Sequence, residues 1–257
     1  MVEVNEVRSA AKKALAAAKS ARMELELHDV VFLGAQGRAE PGLLFGNYAN
    51  MISNRIITLY DDCSLLLERD RISSACVLSR CILETFAVAN FAEHEVGKAL
   101  NRHGIDRAGE TVLDYINSSR LKVEEQKRFA SGEFSADDHH FTEEAVTRME
   151  NGAGLSKHIL NALRHLFKTE MAATGASNSQ FELFYEALSE WSHPSQTSLF
   201  HAFTQETWEI ETSVGVVSLW DGALAACGKA MHIVTAIPEL REGMLDVAGQ
   251  LTSASQK

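Results

Sequence analysis

One stretch constrains this chain more than any other. From Ala75 to Ala92 the sequence is apolar nearly all round a helix, and only Arg80 and Glu84 carry charge. A helix without a polar face must be covered on every side, so it belongs at the centre of a fold. Read instead as a membrane span, it would hold two charges near a bilayer centre at about 2.5–3.5 kcal/mol each. The expectation is therefore a buried central helix, about Ile72 to Leu100, in a protein that does not enter a membrane.

The remaining sequence supplies helices to surround it. Only three of 257 residues are proline (Pro41, Pro194 and Pro238), and proline is the residue that breaks helix interiors. Apolar residues spaced three and four apart predict helices over about Val4–His28, Leu43–Leu67, Arg107–Phe129, Phe141–Gly152, Leu155–Met171, Gln180–His193 and Val214–Ile237. Within the second of these, Tyr48, Ile52, Ile56, Leu59, Cys63 and Leu66 form the expected buried stripe. Turns are expected at Gly34–Pro41, Ser131–His140 and Ala172–Ser179. The alternation at Trp208–Thr212 has no partner strand elsewhere, so residues 198–212 read as an extended loop or a helix. Pro238 reads as the end of the last long helix, with 250–257 a frayed tail. The fold expected is all-α, a single-domain bundle of about seven to nine helices over residues 1–257. A hydrophobic share of 46% is enough to build its core.

The first segment, within residues 1–33, places Val4, Val7, Ala11, Ala14, Ala18, Ala21 and Leu25 at heptad spacing. Such an alanine-rich row packs along the bundle or serves as an oligomerisation arm, and a homo-oligomer is the expectation taken from it.

Charge and cysteine usage exclude some classes. With 24 basic and 35 acidic residues the chain carries −11, which disfavours sequence-independent DNA binding. A small anion or RNA would need a local basic group. The four cysteines, Cys63, Cys76, Cys81 and Cys227, form no CxxC pair. They read as buried reduced thiols of a cytoplasmic protein, and the N-terminus lacks a signal-peptide pattern.

Two sets of residues have the types and spacing for chemistry. Arg80 and Glu84 lie four apart on one helix face, where each buried charge requires a partner. Tyr185, Ser189 and His193 share a face of a later helix, with His193 at its end before Pro194. Histidine is suited to proton transfer near neutral pH, and it also fits the negative end of a helix dipole. If the two helices meet, Arg80, Glu84 and His193 would be the catalytic group. Arg80, Tyr185, Ser189 and His193 would be the ligand-binding group.

Metal signals are weaker. Di-metal bundles need a Glu-x-x-His on each of two helices; only Glu190–His193 has that form. The Asp137, Asp138, His139, His140, Glu143 and Glu144 cluster suits a solvated helix start, and His158 with His165 makes only two ligands. No phosphate loop, dinucleotide fingerprint, nucleophile elbow or zinc spacing occurs. No metal and no cofactor are expected.

Two segments together resemble a known family. Arg71-Ile72-Ser73-Ser74-Ala75-Cys76-Val77-Leu78-Ser79-Arg80-Cys81-Ile82-Leu83-Glu84 and Tyr185-Glu186-Ala187-Leu188-Ser189-Glu190-Trp191-Ser192-His193-Pro194-Ser195 cover about a tenth of the chain. The Arg-x-x-Leu-Glu helix followed by Tyr-x-x-Leu-Ser-x-x-x-His-Pro-Ser is similar to bacterial all-helical proteins of unknown function, distant relatives of the HEPN superfamily. That resemblance implies a metal-independent ribonuclease, in which an arginine, four to six intervening residues and a histidine follow one another on one helix. No arginine lies between Phe181 and His193 here, so Arg80 would have to serve from another helix. The leading expectation is a cytoplasmic binding or interaction module with a polar pocket for a small anionic ligand. The alternatives are a HEPN-like ribonuclease or nucleotide-modifying enzyme and a purely structural helical homodimer.

Overall fold

The computed structural model describes residues 4–23, 40–116, 159–195, 198–199 and 214–257. Among them there is no strand, and the all-α class is as expected. In chain order the helices are α1 (Val4–Met23), α2 (Pro41–Glu68), α3 (Ile72–His103), α4 (Ile105–Ile116), α5 (Ile159–Thr174), α6 (Gln180–Ser192), α7 (Val214–His232) and α8 (Ile237–Ser255). A 3₁₀ turn, Ile233–Ala236, joins the last two. The expected loop 131–140, the expected helix 141–152, the Asp137–Glu144 cluster, residues 117–129 and nearly all of 198–212 lie outside the described residues.

The chain groups into two compact units. The first takes Met1–Leu25, Met51–Ala89 and Leu163–Leu240; the second takes Glu26–Asn50, Asn90–Ala162 and Arg241–Lys257.

In the first unit, α2 ends in a tight turn. The Arg71 N–H donates to the Leu66 carbonyl at 2.9 Å and the Asp70 N–H to Leu67 at 3.3 Å. Asp70 takes a φ of 54°, which aspartate tolerates because its short polar side chain is compatible with left-handed backbone. After three intervening residues the chain is helical again at Ile72. Ala75, Cys76, Ser79, Ile82, Leu83 and Ala87 of α3 are then essentially inaccessible. By length and composition α3 is the one described helix apolar enough to cross a membrane, but 56% of its most apolar window is buried inside the protein, as in a core helix. The stripe of α2 differs from expectation. Ile56 and Cys63 are buried, but Ile57, Tyr60 and Leu67 complete the buried face, while Ile52, Leu59 and Leu66 are half-covered. The paired apolar residues Ile56-Ile57, Leu59-Tyr60 and Leu66-Leu67 permit either register, and packing selects one. Helix α1 lies against α7 and the 3₁₀ turn, with Ala11 and Ala18 buried.

Helix α8 corrects the expectation at Pro238. Proline in the first turn of a helix loses no hydrogen bond, since those N–H groups have no intrahelical acceptor. Pro238 therefore opens α8, as Pro41 opens α2, and α8 continues to Ser255. The frayed tail is a helix with Met244, Ala248 and Leu251 buried. Glu40 fastens it. Its carboxylate accepts the N–H groups of Gly42 and Leu43 at 3.1 and 2.9 Å, capping α2. It also accepts the hydroxyls of Thr252 and Ser255, each at 3.2 Å. Gly104, at φ 82°, separates α3 from α4. Tyr115 of α4 packs against Tyr48 and Phe91, with ring centroids 6.3 and 6.4 Å away.

Helix α8 approaches α2 so closely that a Cβ on Gly42 would meet Thr252 Oγ1 and lie 2.5 Å from the Ala248 carbonyl oxygen. At Gly46 a Cβ would find only ordinary contacts at 3.8 and 3.9 Å. Gly42→Ala should therefore destabilise the protein by about 1–3 kcal/mol. Gly46→Ala should stabilise it by about 0.5–1 kcal/mol through helix propensity. Opposite shifts in thermal midpoint check the pair; equal shifts would refute the close approach.

Candidate functional site

Helix α3 is buried on most sides, and its Arg80 and Glu84 occupy the same face one turn apart. Helix α6 is fixed at its start. Ser179 is its N-cap and accepts the Glu182 N–H at 3.1 Å. Ser179 donates in turn to Glu170 of α5 at 2.5 Å, and Glu170 also accepts the Phe181 N–H at 3.0 Å. Lys229 of α7 stands 3.8 Å from Glu170 and 4.7 Å from the Phe181 ring centroid. The Ser-x-x-Glu of residues 179–182 is a capping signature. It is legible in the sequence, at the end of the turn expected over Ala172–Ser179.

At the other end, Pro194 disfavours helical backbone in the residue before it. His193 is extended, at φ −97° and ψ 157°, and forms the C-cap of α6 with its N–H on the Ser189 carbonyl. From there its ring meets α3.

Arg80 is the centre of the site. Its Nε donates to Glu84 Oε1 at 2.9 Å. Its Nη2 donates to the Tyr185 hydroxyl at 2.9 Å. Its Nη1 lies 3.0 Å from His193 Nε2. A guanidinium only donates, so Nε2 is the acceptor and the neutral ring carries its proton on Nδ1. The Tyr185 hydroxyl completes a ring of contacts by donating to Glu84 Oε1 at 3.3 Å. The guanidinium carbon also lies 5.1 Å from the Tyr185 ring centroid, within cation–π range, and Phe167 backs that ring at 6.4 Å between centroids. Desolvation works against the Arg80 charge, but the hydrogen bond and field of Tyr185 and the Glu84 carboxylate outweigh it. The guanidinium is thereby held above its already high ordinary value.

The expected juxtaposition of Arg80, Glu84, Tyr185 and His193 is present. Two features differ from the sequence reading. The ion pair is not sealed: the side chains of Arg80 and Glu84 are 20% and 29% exposed, and His193 is exposed. Ser189 is not brought into the cluster, because its hydroxyl donates back to the Tyr185 carbonyl at 2.8 Å, four residues earlier in its own helix. Among the described residues, no group of three or more His, Cys, Asp or Glu is placed to hold a metal ion.

The chain was compared with protein-family models, curated proteins and solved structures, and none of the three comparisons finds a match.

Solvent access screens the Arg80–Glu84 pair, so it is worth less than a sealed one. Arg80→Ala should cost about 1–3 kcal/mol of stability, and a double-mutant cycle with Glu84→Gln should show coupling of about 1 kcal/mol. Strictly additive losses in chemical denaturation would show that the two do not interact. Nitrogen NMR of the imidazole should find His193 as the Nδ1–H tautomer, with that preference lost in Arg80→Ala; an Nε2–H tautomer would contradict the contact.

Proposed function

We propose that this chain is a binding module that takes a small oxyanion, a phosphate or carboxylate group, at Arg80. One observation carries the reading. The guanidinium is held in a fixed plane by Glu84, Tyr185 and His193 and is still reached by solvent. Those three contacts use one N–H on each of its nitrogens. Those are three of its five N–H groups, and the other two, one on Nη1 and one on Nη2, are the donors an anion would meet. Ordering the cation in advance reduces what binding must immobilise. Tyr185 and Glu84 act as positioning residues, and His193 is the exposed neighbour that a bound group would meet. Helical folds commonly place ligand sites between facing helices.

A second reading, a metal-independent ribonuclease or nucleotide-modifying enzyme, is favoured by the Arg80–His193 contact in particular. A cation on the imidazole and an exposed ring are what proton transfer at a phosphodiester requires. The arginine missing from α6 is supplied from α3.

The test uses inorganic phosphate and adenosine 5′-monophosphate as probes, with the Arg80 side-chain Nε–H and the His193 ring followed by NMR. Both signals should shift saturably with Kd in the micromolar to low-millimolar range, corresponding to about −4 to −8 kcal/mol. Arg80→Lys should weaken binding at least tenfold, since a point charge cannot replace the fork. No saturable shift by about 10 mM would overturn the binding reading. Cleavage of an unstructured oligoribonucleotide that disappears in His193→Ala would instead establish the second.

A further inference from the structure

The buried thiols form a second cluster that the proposed site does not use. Cys76 of α3 and Cys227 of α7 are essentially inaccessible, and their Sγ atoms are 3.6 Å apart. Close by, Cys63 of α2 lies 3.3 Å from the Ser79 hydroxyl and 3.6 Å from the Ala75 carbonyl. None of the four cysteines is in a disulfide. Inert core thiols would need only apolar neighbours. Here two sulfurs from helices 151 positions apart in sequence face one another. A disulfide has a sulfur–sulfur distance of about 2.05 Å, so closure calls for side-chain movement of about 1.5 Å shared between two thiols already in contact.

We propose that Cys76 and Cys227 form a redox-closable brace, oxidised by a hydroperoxide to a disulfide that ties α3 to α7 one turn before Arg80. The two thiols are not equivalent. The hydrogen bond from Cys76, together with Ser79 and a backbone N–H, holds the Cys227 thiol below its ordinary value against the effect of burial. The same mutual bond, added to burial, pushes the Cys76 thiol up. The thiolate is the nucleophile, and although exchanging the two roles gives the same disulfide, the first attack is assigned here to Cys227.

Its thiolate attacks one peroxide oxygen, the O–O bond breaks, and the departing oxygen takes a proton and leaves as water or an alcohol. Cys227 is now a sulfenic acid. The Cys76 sulfur attacks the Cys227 sulfur, the S–O bond breaks, and the oxygen leaves as water with the Cys76 proton. The thiol pair loses two electrons and two protons in all, and the peroxide gains both.

The experiment treats the full chain, folded and reduced, with hydrogen peroxide. Thiols are then counted after denaturation, and the peptides are mapped by mass spectrometry without reduction. The expected result is loss of two of the four titratable thiols and a cross-linked peptide joining Cys76 to Cys227. The thermal midpoint should rise by about 5–10 °C and return on reduction. Four thiols surviving, a cross-link through Cys63 or Cys81, or a sulfinic acid at Cys227 with no cross-link would each overturn the proposal. A cross-link formed without a rise in midpoint would overturn its role as a brace. All of these readouts come from the unmutated chain, so none depends on a cysteine variant folding.

Discussion

A guanidinium on an otherwise apolar helix must find acceptors where it stands, and in the first unit that requirement shapes what surrounds it. Arg80 draws one acceptor from its own helix, Glu84, and two from α6, Tyr185 and His193. Helix α6 is consequently held at both ends: by Ser179 and Glu170 at its start, and by Arg80 at its finish. Between them Leu188 and Trp191 are buried, with Trp191 edge-on to Trp220 of α7 at 6.4 Å between centroids. Apolar packing fixes the position of the helix, and the polar contacts fix its rotation and where it stops.

The sequence showed where the helices run better than which faces they bury. The limits of α2 and α3 come within a few residues of expectation because breakers bracket them. The buried face of α2 was ambiguous because doubled apolar residues offer two registers. Helix α8 was missed for a physical reason: a proline in a first turn and a proline after a last turn look alike when only the residue type is read. The Leu240, Met244, Ala248, Leu251 spacing was present all along. Arg80 and His193 could be picked out as chemically unusual, but their meeting across 113 positions is a property of the fold. The Glu40 clasp and the facing sulfurs of Cys76 and Cys227 are also long-range contacts, and no local pattern announces them.

The cluster at Arg80 is also balanced in charge. One cation is matched by one carboxylate, and the phenol and imidazole add hydrogen-bonding capacity without net charge. In a chain of −11 overall, long-range attraction would not gather anions here. Recognition at such a place rests on geometry at short range, which suits a compact ligand better than a long polyanion.

The turn between α2 and α3 has a further consequence. Cys63 and Ser79, which touch, each lie eight positions from Arg71, and Arg55 and Thr85, also in contact at 3.3 Å, lie sixteen and fourteen positions from it. The two helices are thus folded back on each other about one point, and the left-handed Asp70 beside it sets their phase. A single residue added within α3 just after that turn would rotate the rest of the helix by about 100° relative to α2. The thiol cluster and the arginine would then face different neighbours. The point at which α3 begins works as a clock setting, keeping both polar clusters of the first unit in register.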